Sequence, residues 1–161
     1  MDEYPLLFTY REVVTGDGFM AGVILDGRAL LVDEKEDGWW AYGVEPGALS
    51  ETGDSPHEAL FYFRQAYSSV LADFAKEASG DFDRFEALTQ RFFSQKDAED
   101  ETRWLAAREV LASGKGEPIE SLNGLPREKA ENPRRILVVK LDEPRAQLPN
   151  VAEEISLPQA A

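Results

Sequence analysis

The chain has no cysteine and a single histidine, His57, among its 161 residues. Without cysteine there can be no disulfide framework, no thiolate zinc site and no thiol nucleophile, and the composition fits a reducing compartment. No stretch approaches the ~20 apolar residues of a membrane span. The start, Met1-Asp2-Glu3-Tyr4-Pro5, lacks the basic residues and apolar run of a secretory signal. A cytoplasmic protein without membrane contact is therefore expected. Positive charge is also scarce: 17 Lys and Arg stand against 31 Asp and Glu, a formal net charge of −14. Such a field repels phosphate backbones, which argues against direct nucleic-acid binding, and it attracts a basic protein.

Catalytic patterns are missing as well. There is no G-x-S-x-G elbow and no phosphate-binding loop. Gly16, Gly18 and Gly22 are loosely spaced like a dinucleotide fingerprint, but no helix start follows them. Ser-His-Asp chemistry would need His57 as base with Ser50, Ser55 or a more distant serine as nucleophile. His57 stands in the first turn of an expected helix, where the positive dipole end disfavours imidazolium. Asp33, Glu34, Glu36 and Asp37 are near-consecutive, so strand alternation turns neighbours to opposite faces and they cannot all converge on a metal. Arg127, Lys129, Arg134, Arg135 and Arg145 form the one basic region, without the interleaved aromatics of a single-strand binder. No catalytic residue, metal or cofactor is expected.

Enough apolar residues are present for a normal core, at 43% including nine Phe, five Tyr and three Trp. Leu6 to Val14 alternates with apolar content on both faces, and Thr15-Gly16-Asp17-Gly18 is a turn. Phe19 to Leu25 and Arg28 to Glu34 read as two strands joined by a hairpin turn at Asp26-Gly27, and a second Asp-Gly, at 37 and 38, precedes a strand from Trp39 to Val44. Trp39 and Trp40 face opposite sides of that strand, which implies either cover on both sides or one ring exposed to a partner. Glu45-Pro46-Gly47 reads as a type II turn, with Ala48-Leu49-Ser50 a short edge piece.

Ser55-Pro56-His57-Glu58 is a capping box with proline at the first helical position, and Leu60, Phe63, Tyr67, Val70, Leu71, Phe74 and Ala78 form one apolar stripe. Two further helices are expected, one from about Phe82 through Phe93 and one from about Ala98 to Ala112 with Glu99, Asp100 and Glu101 in its first turn. Residues 115–134 read as a loop with one short helix after Pro126. Ile136 to Leu141 reads as an inner strand, and 142–161, with three prolines, as an extended tail.

The run Glu36-Asp37-Gly38-Trp39-Trp40-Ala41-Tyr42-Gly43-Val44-Glu45-Pro46-Gly47, followed by Thr52-Gly53-Asp54-Ser55-Pro56-His57-Glu58-Ala59-Leu60, resembles the HicB-like antitoxin family. The shared pattern is an acidic-Gly-aromatic strand, a Pro-Gly turn, a Gly-Asp-Ser loop and a helix opening with Glu-Ala. It covers about residues 30 to 78, with Ile136 to Leu141 as the returning strand. The resemblance implies a partial ribonuclease-H-like fold and a role in silencing a small, basic, mRNA-cleaving toxin. The chain departs from the family pattern in having Gly47-Ala48 where Gly-Cys is usual, in lacking an operator-binding segment, and in its long helical insertion.

The expected architecture is thus an α+β domain over 1–141, an antiparallel meander sheet with a helix on one face and an inserted helical pair at about 79–134, followed by a tail over 142–161. The expected function is a non-enzymatic protein-binding module, homodimeric, that masks a small basic partner. Candidate contact residues are Trp39, Trp40, Tyr42, Glu45, Leu148 and Val151. A stand-alone scaffold or regulator without a toxin is one alternative. A metal-dependent hydrolase using Asp33, Glu36, Asp37 and Glu45 is the other.

Overall fold

The structure is a computed structural model that describes residues 2–116, 119–141, 148 and 154–159. In chain order it contains β1 (Asp2–Thr15), β2 (Met20–Asp33), β3 (Trp39–Glu45), β4 (Ser50–Gly53), α1 (Pro56–Ala78), α2 (Phe82–Phe93), α3 (Ala98–Ala112), β5 (Arg127–Glu128), β6 (Ile136–Lys140) and β7 (Ile155–Pro158). It is an α+β protein with an open, mostly antiparallel sheet in the order β4-β3-β2-β1-β7-β5, while β6 pairs with the first half of β2. Among the described residues only β5 and β7 run parallel. No helix among the described residues is long and apolar enough to cross a membrane.

β1 and β2 pair along their whole lengths, from Asp2 opposite Asp33 to Thr15 opposite Met20. Their alternation sends Leu6, Phe8, Tyr10 and Val14 to one face, with Val23, Leu25 and Leu31. There they meet Phe63, Tyr67 and Leu71 of α1 and Phe85 and Phe93 of α2. Leu7, Leu30 and Val32 point the other way and, with Val44 of β3, pack against Trp104 and Ala107 of α3. The expectation of helix cover on one face is therefore corrected. The inserted helices do not form a pair either, because α2 packs on α1 and β6 while α3 packs on β1, β2 and β3. Hairpin strands that are apolar on both sides need two covering layers, and the insertion supplies the second.

The helix starts follow the sequence closely. Ser55 Oγ accepts from the Glu58 amide at 3.1 Å, and Glu58 Oε2 accepts from the Asp54 amide at 2.7 Å, which closes the capping box around Pro56. Asp81 and Asp97 cap α2 and α3 in the same way.

Several turns differ. Asp26-Gly27 is not a hairpin turn, since β2 runs straight through it. Gly27 lies beneath the Phe8 ring, where a Cβ would overlap the ring and come within 2.8 Å of the Glu45 carbonyl oxygen. Asp26 accepts from Thr9 Oγ1 at 2.8 Å and from Arg135 Nε at 2.5 Å. Close backbone approach and a side-chain network, rather than a positive φ, account for the dipeptide. At the type II turn expected over 45–47, the Glu45–Pro46 bond is cis and Gly47 lacks the positive φ that turn requires. Gly47 is instead pressed against the backbone of Asp97.

The remaining corrections concern the second half. The residues after Pro126 form β5 rather than a helix, held by the Leu157 amide donating to the Pro126 carbonyl at 2.9 Å. β6 pairs on one side only among the described residues, so it is not an inner strand. The end of the tail is docked, with β7 adding to β1 through Leu7 opposite Ser156 and Phe8 opposite Ile155.

Gly27→Ala is expected to lower unfolding free energy by about 1–3 kcal/mol through overpacking. Gly116→Ala, where a Cβ would meet only Val110 at 3.6 Å, is expected to stay within about 0.5 kcal/mol of the parent. Urea unfolding measured side by side checks the difference. The buried Tyr67 hydroxyl has no hydrogen-bond partner among the described residues. Tyr67→Phe should accordingly keep or raise stability, by up to about 1 kcal/mol.

Candidate functional site

β3 leaves the turn at Gly38, whose φ of 81° suits glycine, and places its aromatic residues on alternate sides of the sheet. Trp39 packs against Tyr4 with ring centroids 6.1 Å apart on the α1 side. Trp40 and Tyr42 emerge on the α3 side and stack on each other at 5.6 Å with planes 11° apart. Arg103 of α3 lies 5.2 Å over the Tyr42 ring, and the Tyr42 hydroxyl donates to Glu34 at 2.9 Å. Burial, reinforced by that carboxylate, pushes the Tyr42 phenol up to about 12.

Glu45 is tied inward. Arg28 donates to its carboxylate from Nη2 at 2.8 Å and from Nε at 3.2 Å, and reaches Glu101 of α3 at 2.6 Å. The same guanidinium lies 5.3 Å over the Trp104 ring, and Lys96 stands 3.7 Å from Glu101. One nearly buried cation thus joins β2, β3 and α3. A second clamp lies beside it, where Arg103 binds Glu3 of β1 at 2.8 Å and Asp100 at 2.8 Å. Trp104 Nε1 donates to the Leu6 carbonyl at 3.2 Å. Trp40, Tyr42 and Glu45 are engaged by this docking of α3.

Leu148 is placed elsewhere, over Gly22 in the first half of β2, where any Cβ on the glycine would overlap its side chain. Val151 lies outside the described residues. The structure therefore brings Trp40, Tyr42 and Glu45 together under α3, with Trp39 on the opposite face and Leu148 farther along the sheet. Among the described residues no group of three or more His, Cys, Asp or Glu is placed to hold a metal. Asp33 is held by Lys35 at 3.1 Å and Glu45 by Arg28.

On the other face, α1 carries exposed aromatic residues that were not among the candidates. Phe61 and Tyr62, on α1, are 51% and 41% exposed and meet edge to face at 5.6 Å. Both lie off the stripe that Phe63 and Tyr67 bury, and aromatic residues out of phase with a helix's core stripe were the available signal. β4, which α1 contacts near Glu58 and Ala59, ends the sheet and pairs only with β3 among the described residues. No family model, curated protein or solved structure matches this chain.

Arg28→Met should cost about 2–3 kcal/mol, because it strands two partly buried carboxylates. Arg28 holds Glu101 below its ordinary 4.5, chiefly by hydrogen bonding. That pair contributes in full above pH 4.5, and the contribution is lost as pH falls through the lower folded value. Asp100 has the opposite sign, since burial raises it and protonation relieves it. Glu101→Gln is expected to lower stability at pH 7 and to flatten the loss below pH 4.5, both readable from urea midpoints across pH.

Proposed function

We propose that the chain is a non-enzymatic protein-binding module of the HicB-like kind, which masks a small basic partner such as an mRNA-cleaving toxin. The observation that carries this reading is the corner from β3 to α1. Its aromatic strand, proline turn, terminal strand β4 and capped helix follow in the order that the family resemblance rests on. Charge supports it independently. From residue 36 to residue 63 the chain has Glu36, Asp37, Glu51, Asp54 and Glu58, besides Glu45 held by Arg28, and no lysine or arginine. A partner of opposite sign would be steered to that region, and its release would be sensitive to salt.

A second reading is favoured by one observation. Trp40, Tyr42 and Glu45 are occupied by α3 of the same chain, as they would be in a solitary scaffold that has replaced an external partner with its own helix.

Affinity purification of the tagged protein from its native host, with mass spectrometry of what stays bound, separates the two. A stoichiometric, small, basic companion that elutes with salt is the expected result, followed by loss of that companion's RNA cleavage on mixing. A chain that purifies alone overturns the masking role in favour of the solitary scaffold.

A further inference from the structure

The sheet ends at β4, whose outer edge has no strand beside it among the described residues. Such an edge presents unpaired amide and carbonyl groups, and soluble proteins ordinarily blunt it with lysine, proline or a covering segment. β4, Ser-Glu-Thr-Gly, has neither lysine nor proline, and Ser50 and Thr52 are exposed. With four residues and one glutamate, the edge has room to pair with a short strand only.

Chemistry around the edge selects its occupant. Asp54 leaves β4 and its amide donates to Glu58, and the Tyr62 hydroxyl reaches the other Glu58 oxygen at 3.4 Å. Tyr62 in turn meets Phe61, so the Glu58 carboxylate links the backbone at the end of β4 to an exposed aromatic pair. Glu51 stands within the strand itself. Exposed rings with a carboxylate at their edge attract a guanidinium, which gains from both the ring quadrupole and the negative charge. A second copy of this chain would bring the same acidic corner against its like, and that repulsion opposes a symmetric pairing.

From this we infer that β4 and the Phe61–Tyr62 pair form a docking surface for an extended, arginine-bearing segment of a basic protein. The segment pairs through its backbone with β4 and lays an arginine on the two rings. Backbone pairing supplies register and the aromatic-acidic platform supplies selectivity. The inference rests on the masking reading for its biological setting, but not for its geometry.

Titration of the isotope-labelled full chain with a short peptide alternating arginine and valine, followed by amide chemical shifts, tests it. Shifts confined to Ser50–Gly53 and the first half of α1 are expected. Affinity should be about tenfold weaker in Phe61→Ala/Tyr62→Ala, a surface pair whose loss leaves the core intact. A peptide alternating glutamate and valine should leave the spectrum unchanged. Shifts centred elsewhere, equal affinity in the double variant, or equal response to the acidic peptide would overturn the surface. Sedimentation showing a dimer that the double variant abolishes would overturn it too, by assigning the surface to a second copy. Capture of a host partner equally well by both forms would also refute the surface while leaving the masking role intact. Peptide binding as expected with no host partner would refute the masking role alone.

Discussion

A long antiparallel hairpin with leucines on both sides cannot be satisfied by one layer of helices, and that constraint organises the rest of the chain. Leu6 and Leu7 are neighbours in β1, and Leu30 and Leu31 are neighbours in β2, yet each pair is divided between opposite cores. Burying both faces withdraws roughly twice the apolar area that a one-sided sheet offers, at about 25 cal/mol per Å². It also commits the chain to sending helices to both sides. α1 and α2 share the first face through a cluster of aromatic contacts, among them Phe63 with Tyr67 and Phe74 with Phe92. The second face is left to α3.

α3 meets that demand in a different manner. It buries only Trp104 and Ala107, so its attachment depends on directional contacts more than on a broad apolar stripe. Arg28 is central because it satisfies carboxylates from two elements and lies against an aromatic ring at once. Arg103 repeats the arrangement between β1, α3 and the Tyr42 ring. Directional contacts of this type fix orientation, whereas the aromatic cluster across the sheet is held by shape and area.

Legibility in the sequence followed the range of the interactions. The Ser55 cap and the boundaries of the three helices are local, written within a few residues of one another, and they stand as read. Gly27 misled because its neighbours in sequence spell a turn while its neighbour in space, Phe8, is nineteen positions away. The side taken by α3 could not be seen for a related reason. Its buried residues are too few to mark a face, and the charges that anchor it lie on β1, β2 and β3. Of the candidate contacts, the aromatic bulk of Trp39, Trp40 and Tyr42 was visible, but whether a strand is roofed depends on a helix some sixty residues on, around Trp104.

The position of β7 bears on how the molecule comes into being. β1 leaves the ribosome well before β7, yet one of its flanks is completed at Leu7 and Phe8 by Ile155 and Ser156. Until β7 emerges, that flank lacks its β7 neighbour, and β4 and the unfinished side of β1 are both available to foreign strands. Joining ends so far apart in sequence also raises contact order, which slows folding. Closing β7 is therefore a late event, and nascent chains stalled before residue 155 would carry a second bare edge that the finished protein does not have.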